Sequence, residues 1–110
     1  MRDFPKLTYE NFGRPRQRCL FDAARSELSA KEILDSHAPD TDTSRRLRRR
    51  AAEFLKHAAL FYRQAGLGLC AKAALTRAAD VLAELGLDAE SERCRKRAAA
   101  IPEYWKDEET

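Results

Sequence analysis

The sequence predicts an all-α domain built from antiparallel helical hairpins, and three observations carry that expectation. The first is a repeat: the frame A-x3-L-x2-A-A-x6-G-L occurs twice, about twenty residues apart. Ala51, Leu55, Ala58, Ala59, Gly66 and Leu67 return as Ala71, Leu75, Ala78, Ala79, Gly86 and Leu87. The second is periodicity, since apolar residues there follow the 3.6-residue period of a helix and not the two-residue period of a strand. The third is composition. Only four Gly and four Pro interrupt 110 residues, of which 44% are hydrophobic and 35% charged. At this length the chain, 1–110, is one helical domain with a modest core. Repetition on this scale points to stacked helices and a surface that holds a partner, not to a reaction.

Residues 1–18 carry Phe4, Leu7, Tyr9 and Phe12 among Pro5, Gly13 and Pro15. Neither period fits them, so they read as an irregular arm whose aromatics pack on the body. Arg14, Arg16 and Arg18 make its end basic. Two short capping helices are expected within 19–37. The first covers about 17–26, with Leu20, Phe21 and Ala24 on one side. The second covers about 30–37, because Ser29-Ala30-Lys31-Glu32 has the form of a capping box. There the Ser29 hydroxyl accepts from the Glu32 amide, and the Glu32 carboxylate reaches back to the Ser29 amide. Pro39 and the polar run Asp40-Thr41-Asp42-Thr43-Ser44 end this helix and supply caps for the next.

A three-helix hairpin stack over 44–101 follows. Its first helix, at about 44–65, places Leu47, Ala51, Phe54, Leu55, Ala58, Phe61, Tyr62 and Ala65 in one stripe. Gly66 then suits a left-handed C′ position and Leu67 the apolar contact of a Schellman close. The next helix, at about 69–85, is apolar over nearly half its circumference, from Cys70 and Ala71 to Leu82 and Leu85. That width makes it the central helix, packed on two sides. Gly86-Leu87 repeats the closing signal, and Asp88 is placed to cap a last helix at about 89–100. This helix is thinly apolar, with Cys94, Ala98 and Ile101, and Pro102 stops it. Residues 102–110 form an acidic tail in which Tyr104 and Trp105 are either exposed or folded back.

The order and spacing of Ala58, Ala59, Tyr62, Ala71, Leu75 and Ala78 resemble the tetratricopeptide-like superfamily, including the helix-pair arrays of SNAP-type vesicle-fusion adaptors. The resemblance covers about 51–100. It implies a non-catalytic adaptor or small scaffold that binds another protein. The chain departs from that pattern by carrying Leu55 at the usual tryptophan-like position and by lacking the closing proline. A four- or five-helix bundle accounts for the same spacing.

Chemistry-bearing motifs are sparse. No Gly-rich phosphate loop, HExxH or G-x-S-x-G occurs, so no catalytic residue, cofactor or enzyme activity is expected. Cys19, Cys70 and Cys94 are too few and scattered for a metal site or disulfide framework, and Cys70 and Cys94 read as small buried hydrophobes. No run of about eighteen apolar residues predicts a membrane-crossing helix, and no apolar leader follows Met1, which favours the cytoplasm.

The sharpest anomaly is Arg45-Arg46-Leu47-Arg48-Arg49-Arg50 in a chain of net charge only +3. These five arginines occupy opening turns, where the helix dipole disfavours cations by a few tenths of a kcal/mol each. Compensation is expected from Asp40, Asp42 and Glu53, or from an acidic partner. At 100° per residue Arg45, Arg49, Lys56 and Arg63 align within about 40°, opposite the apolar stripe, as a basic ridge. Leu60 sits beside it. Arg45, Arg46, Arg48, Arg49, Lys56, Leu60 and Arg63, with the groove between the first two helices of the stack, are therefore the candidate partner-binding residues. An acidic or amphipathic helical segment of another protein is the natural ligand. Self-association is also compatible with the thin last helix. The alternative is nucleic acid, because 29–50 has the outline of a helix-turn-helix with arginines opening its recognition helix.

Overall fold

The computed structural model describes residues 16–102. Among them are four helices: α1 (Arg16–Ser36), α2 (Asp42–Gln64), α3 (Gly68–Glu84) and α4 (Asp88–Ala100). The described residues contain no strand, so the expected all-α class is observed. α1 packs on α2, α2 on α3 and α3 on α4, and no other pair packs backbone to backbone beyond a marginal contact. The helices form an open antiparallel stack, not a closed ring of four. No helix among the described residues is long and apolar enough to cross a membrane.

Small side chains set the spacing of the stack. Ala51, Ala52, Ala58 and Ala59 of α2 and Ala71, Ala74, Ala78 and Ala79 of α3 are all buried. Leu55, Leu75 and Leu82 are the bulkiest fully buried side chains of the shared α2–α3 core. Alanine faces let helix axes approach to the short end of the usual 8–10 Å range. Phe54, Tyr62, Ile33, Leu34 and Leu87 cover the edges of this core.

The two Gly-Leu turns are built alike. Gly66 and Gly86 have φ of 82° and 80°, in the left-handed region. The Leu67 amide donates to the Tyr62 carbonyl at 2.9 Å and the Gly66 amide to Arg63 at 3.0 Å. Twenty residues on, the Leu87 amide donates to Leu82 and the Gly86 amide to Ala83 at the same distances. Both are Schellman closures, as the sequence predicts. Each leucine is also the N-cap of the following helix, with no side-chain cap bond. The repeat unit is thus one helix and its turn, and each copy runs antiparallel to the last. Asp88 opens the first turn of α4 and is not its cap. Thr41 caps α2, its hydroxyl accepting from the Ser44 amide at 3.1 Å.

The N-terminal half differs from expectation. The two short helices expected within 19–37 are one helix of 21 residues. Ser29 lies in its interior, so the capping box is not used. Its buried side holds Cys19, Ala23 and Ala30, while Phe21 and Ala24 are exposed and Leu20 is half-buried. Those small residues lie at i, i+4 and i+11, one stripe along a continuous helix. Packing along α2 favours that continuous stripe over a local break at Ser29, since helices gain most of their stability from tertiary contact. The expected arm therefore loses 16–18 to α1, and the rest of it, 1–15, lies outside the described residues, as do 103–110 of the acidic tail.

Two further differences follow from the open stack. α2 and α3 each have two packed neighbours, so the central position is shared. Cys70 is exposed, whereas Cys94 is buried as expected and Cys19 is buried as well.

Tyr62 ties α2 to α1 by donating its hydroxyl to the Glu27 carboxylate at 2.6 Å. Burial, and then this hydrogen bond and the negative charge of Glu27, push the phenol well above its ordinary value. The folded state therefore keeps this proton at pH values where the unfolded chain loses it. The stabilisation is complete below about pH 10 and declines as pH rises beyond it. Replacing Tyr62 with Phe is expected to cost about 1 kcal/mol at neutral pH. The same variant should show a flatter loss of stability above about pH 10, checked by urea denaturation across an alkaline series.

The Gly86 backbone is the second test. A Cβ there meets nothing within 4 Å, so a side chain adds backbone strain and no clash. Gly86→Ala should cost about 1–2 kcal/mol. Gly86→Asn should cost less, because Asn tolerates the left-handed region. Equal stability of all three chains in denaturant titrations would show that the turn does not depend on this conformation.

Candidate interaction groove

The arginines that open α2 meet groups the chain contributes from far along the sequence. Because α1 and α3 run antiparallel to α2, their C-terminal ends lie beside its N-terminal turns. Arg45 donates from Nη2 to the Leu85 carbonyl at 2.7 Å, at the end of α3. Arg48 donates from Nη1 to the Leu34 carbonyl at 3.2 Å and to that of His37, at the end of α1. Its Nη2 donates to the Glu84 carboxylate in the last turn of α3. Arg49 reaches across to Glu90 of α4 at 2.7 Å. Exposed carbonyls at a helix C-terminus carry partial negative charge. The cost of cations at the start of α2 is thus offset by its neighbours' ends. Of the compensating residues expected from the sequence, Asp42 stands in the first turn of α2, and Glu53 pairs with Lys56 at 3.1 Å.

Arg48 is the most enclosed member, with 11% of its side chain exposed. Its Nε is buried without an acceptor among the described residues. Removing a buried donor that serves several acceptors leaves those acceptors unsatisfied.

The candidate residues divide into ties and walls. Arg48 is a structural tie, and Arg45 and Arg49 are ties that also line a recess. Arg45, Arg46, Arg49, Leu85 and Leu87 enclose about 190 Å³ at the upper end of α2. Arg63 lines a second recess of about 300 Å³ with Leu75, Arg97, Ala100, Ile101 and Pro102. Arg46 and Arg63 are exposed, Lys56 is half-buried, and Leu60 is 45% exposed. The ridge of Arg45, Arg49, Lys56 and Arg63 is real as an alignment but is not opposite the packed face. Buried Ala52 and Ala59 extend that face toward α4, so the ridge lies at its edge. The groove expected between α2 and α3 is filled by alanine contacts. The recesses lie instead on the side where α2 faces α4, one at the C-terminal end of α3 and one beside Leu75 at its middle.

Residues outside the sequence-derived set complete this surface: Glu90, Leu87 and Arg97. A signal for them existed. Glu90 and Arg97 are seven apart, so they share a flank of α4 beside the Cys94–Ala98 stripe. Over 29–50, where the sequence has a helix-turn-helix outline, lie the end of α1, the turn 37–41 and the start of α2, and Arg45, Arg48 and Arg49 donate to protein acceptors there. A further recess of about 300 Å³ lies between α1 and α2, walled by Phe54, Phe61, Asp22, Arg25, Ser26 and Ser29. No group of three or more His, Cys, Asp or Glu among the described residues is placed to hold a metal ion. Comparisons with protein-family models, curated proteins and solved structures give no match.

The division into ties and walls is testable. Arg48→Met should lower stability by about 1–3 kcal/mol, the cost of the lost bonds to the part-buried Leu34 and His37 carbonyls and to Glu84. Arg46→Gln should fall within about 0.5 kcal/mol of the parent, as for an ordinary surface change. Thermal and denaturant unfolding of both variants measures the contrast.

Proposed function

We propose that this protein is a non-catalytic interaction module that holds an acidic, partly apolar segment of another protein on its α2–α4 side. The observation that carries this reading is the make-up of the two recesses. Each pairs arginines with apolar side chains: Arg45, Arg46 and Arg49 with Leu85 and Leu87, then Arg63 and Arg97 with Leu75 and Ile101. Among the described residues no carboxylate is part of either lining, and Glu90 pairs with Arg49 at 2.7 Å beside the upper one. Arg63 and Arg45 are separated by eighteen residues of α2, or about 27 Å at 1.5 Å per residue. An amphipathic helix of similar length can set carboxylates against both arginine groups and apolar side chains into both recesses. The resemblance to tetratricopeptide-like arrays supports the same reading.

Nucleic acid fits this surface less well. Phosphate contacts draw on cations alone, whereas both recesses set apolar side chains, Leu85 and Leu87 or Leu75 and Ile101, beside their arginines, which a partly apolar segment uses and a phosphate backbone does not.

The experiment is an anisotropy titration with a labelled amphipathic helix of about eighteen residues, matched to the 27 Å span. It carries Glu near both ends and Leu on one face. Binding should be saturable and weaken as the screening length shrinks from about 10 Å at 0.1 M salt to about 3 Å at 1 M. The double variant Arg46→Glu/Arg97→Glu should abolish it, while a Glu→Gln peptide should not bind the parent chain. Tighter binding of single- or double-stranded oligonucleotides than of the peptide would replace this reading with the nucleic-acid one.

A further inference from the structure

The chain contains a segment with the chemistry that the α2–α4 side selects. Residues 103–110 read Glu-Tyr-Trp-Lys-Asp-Glu-Glu-Thr, with four carboxylates and two aromatic rings in eight residues. They lie outside the described residues, and their chemistry is read from the sequence. The place where this segment begins is described. Ile101 is buried, and Pro102 forms part of the lower recess beside Arg63 and Arg97. Proline cannot extend α4, so the chain leaves the helix at the recess itself.

We propose that the 103–109 stretch is a ligand in cis for the α2–α4 side, occupying the surface that an external acidic segment would take. The inference rests on the interaction-module reading above and adds an occupant to it. Charge complementarity is the first argument. Glu103 follows directly on the recess of Arg63 and Arg97, and Asp107, Glu108 and Glu109 form a second acidic group. The arginines are likewise in two groups, at the two ends of the ridge. Reach is the second argument. From Pro102 to Glu109 an extended chain spans at most about 25 Å. Along α2 the level of Arg49 is about 21 Å from that of Arg63, and Arg46 about 26 Å. The second acidic group therefore reaches the upper recess only if the segment runs back along the ridge. In sequence, Tyr104 and Trp105 separate the two acidic groups, as Leu60, a large apolar side chain exposed beside the ridge, separates the two arginine groups along α2.

Trp105 is the single tryptophan of the chain, which makes the whole protein its own reporter. In the full chain at low salt, Trp105 should emit at shorter wavelength than free indole and resist acrylamide quenching. Raising salt to 1 M should move both readings toward the water-exposed values. Arg46→Glu/Arg97→Glu should do the same at low salt, with helicity by circular dichroism unchanged. Adding the labelled acidic helix to the parent chain should displace the segment and redden Trp105 as anisotropy rises. Asp107→Lys/Glu108→Lys/Glu109→Lys should expose Trp105 and tighten binding of the helix. A water-like, freely quenched Trp105 in the parent chain at low salt overturns the proposal. So does a shielded Trp105 that ignores both salt and the arginine double variant. In the first of these cases, helix binding by anisotropy would leave the interaction-module reading standing, so the two fail separately.

Discussion

The close contact between the alanine faces of α2 and α3 is the constraint from which the rest of the structure follows. Eight buried alanines of α2 and α3 belong to the core around it, with Leu55, Leu75 and Leu82 as the large fully buried residues there. Helices meeting through such small side chains leave no room between them for a long one. The arginines of α2 therefore lie off that contact, with Arg45 and Arg48 reaching the C-terminal end of α3, Arg48 also that of α1, and Arg49 reaching α4. The ridge is a consequence of that exclusion as much as of the arginines themselves.

Antiparallel stacking then decides what the displaced arginines do. Along a single helix, five cations in the first turns are a liability. Beside two neighbours that end at the same level, they become donors to carbonyls that helix termini leave unpaired. Arg48 joins the end of α1 to the end of α3 through one guanidinium, and Arg45 closes the end of α3. The same geometry places Arg46, Arg63 and Arg97 along the two recesses.

The core is light for its area. Methyl groups contribute little burial per residue, since each buried CH₂ is worth only about 0.8 kcal/mol. Stability therefore leans on the ends of the helices, where the Schellman turns, the Arg48 tie and the Tyr62–Glu27 bond are found. Ser91 shows the same dependence: its buried hydroxyl donates to the Ala79 carbonyl at 2.8 Å, fastening α4 to α3 where apolar contact is thin. An open stack of this kind keeps its flanks accessible, because no fifth helix closes over α2 and α4 among the described residues.

The sequence by itself determined the helices of the C-terminal half and their turns. Ala51 to Leu87 carry a repeat whose Gly-Leu closures require left-handed glycine, a local property that any reading of the chain recovers. It also determined that Arg45, Arg49, Lys56 and Arg63 share one side of α2, because helix geometry alone sets that. Only the tertiary structure decided that 16–36 is one helix, since Ser29-Ala30-Lys31-Glu32 is compatible with both a cap and a helix interior, and the choice rests on packing against α2. Only the tertiary structure decided which arginines are spent within the fold. Their acceptors, the carbonyls of Leu34, His37 and Leu85 and the carboxylates of Glu84 and Glu90, come from 11 to 41 residues away. No local pattern contains a partner that distant; antiparallel packing brings it there.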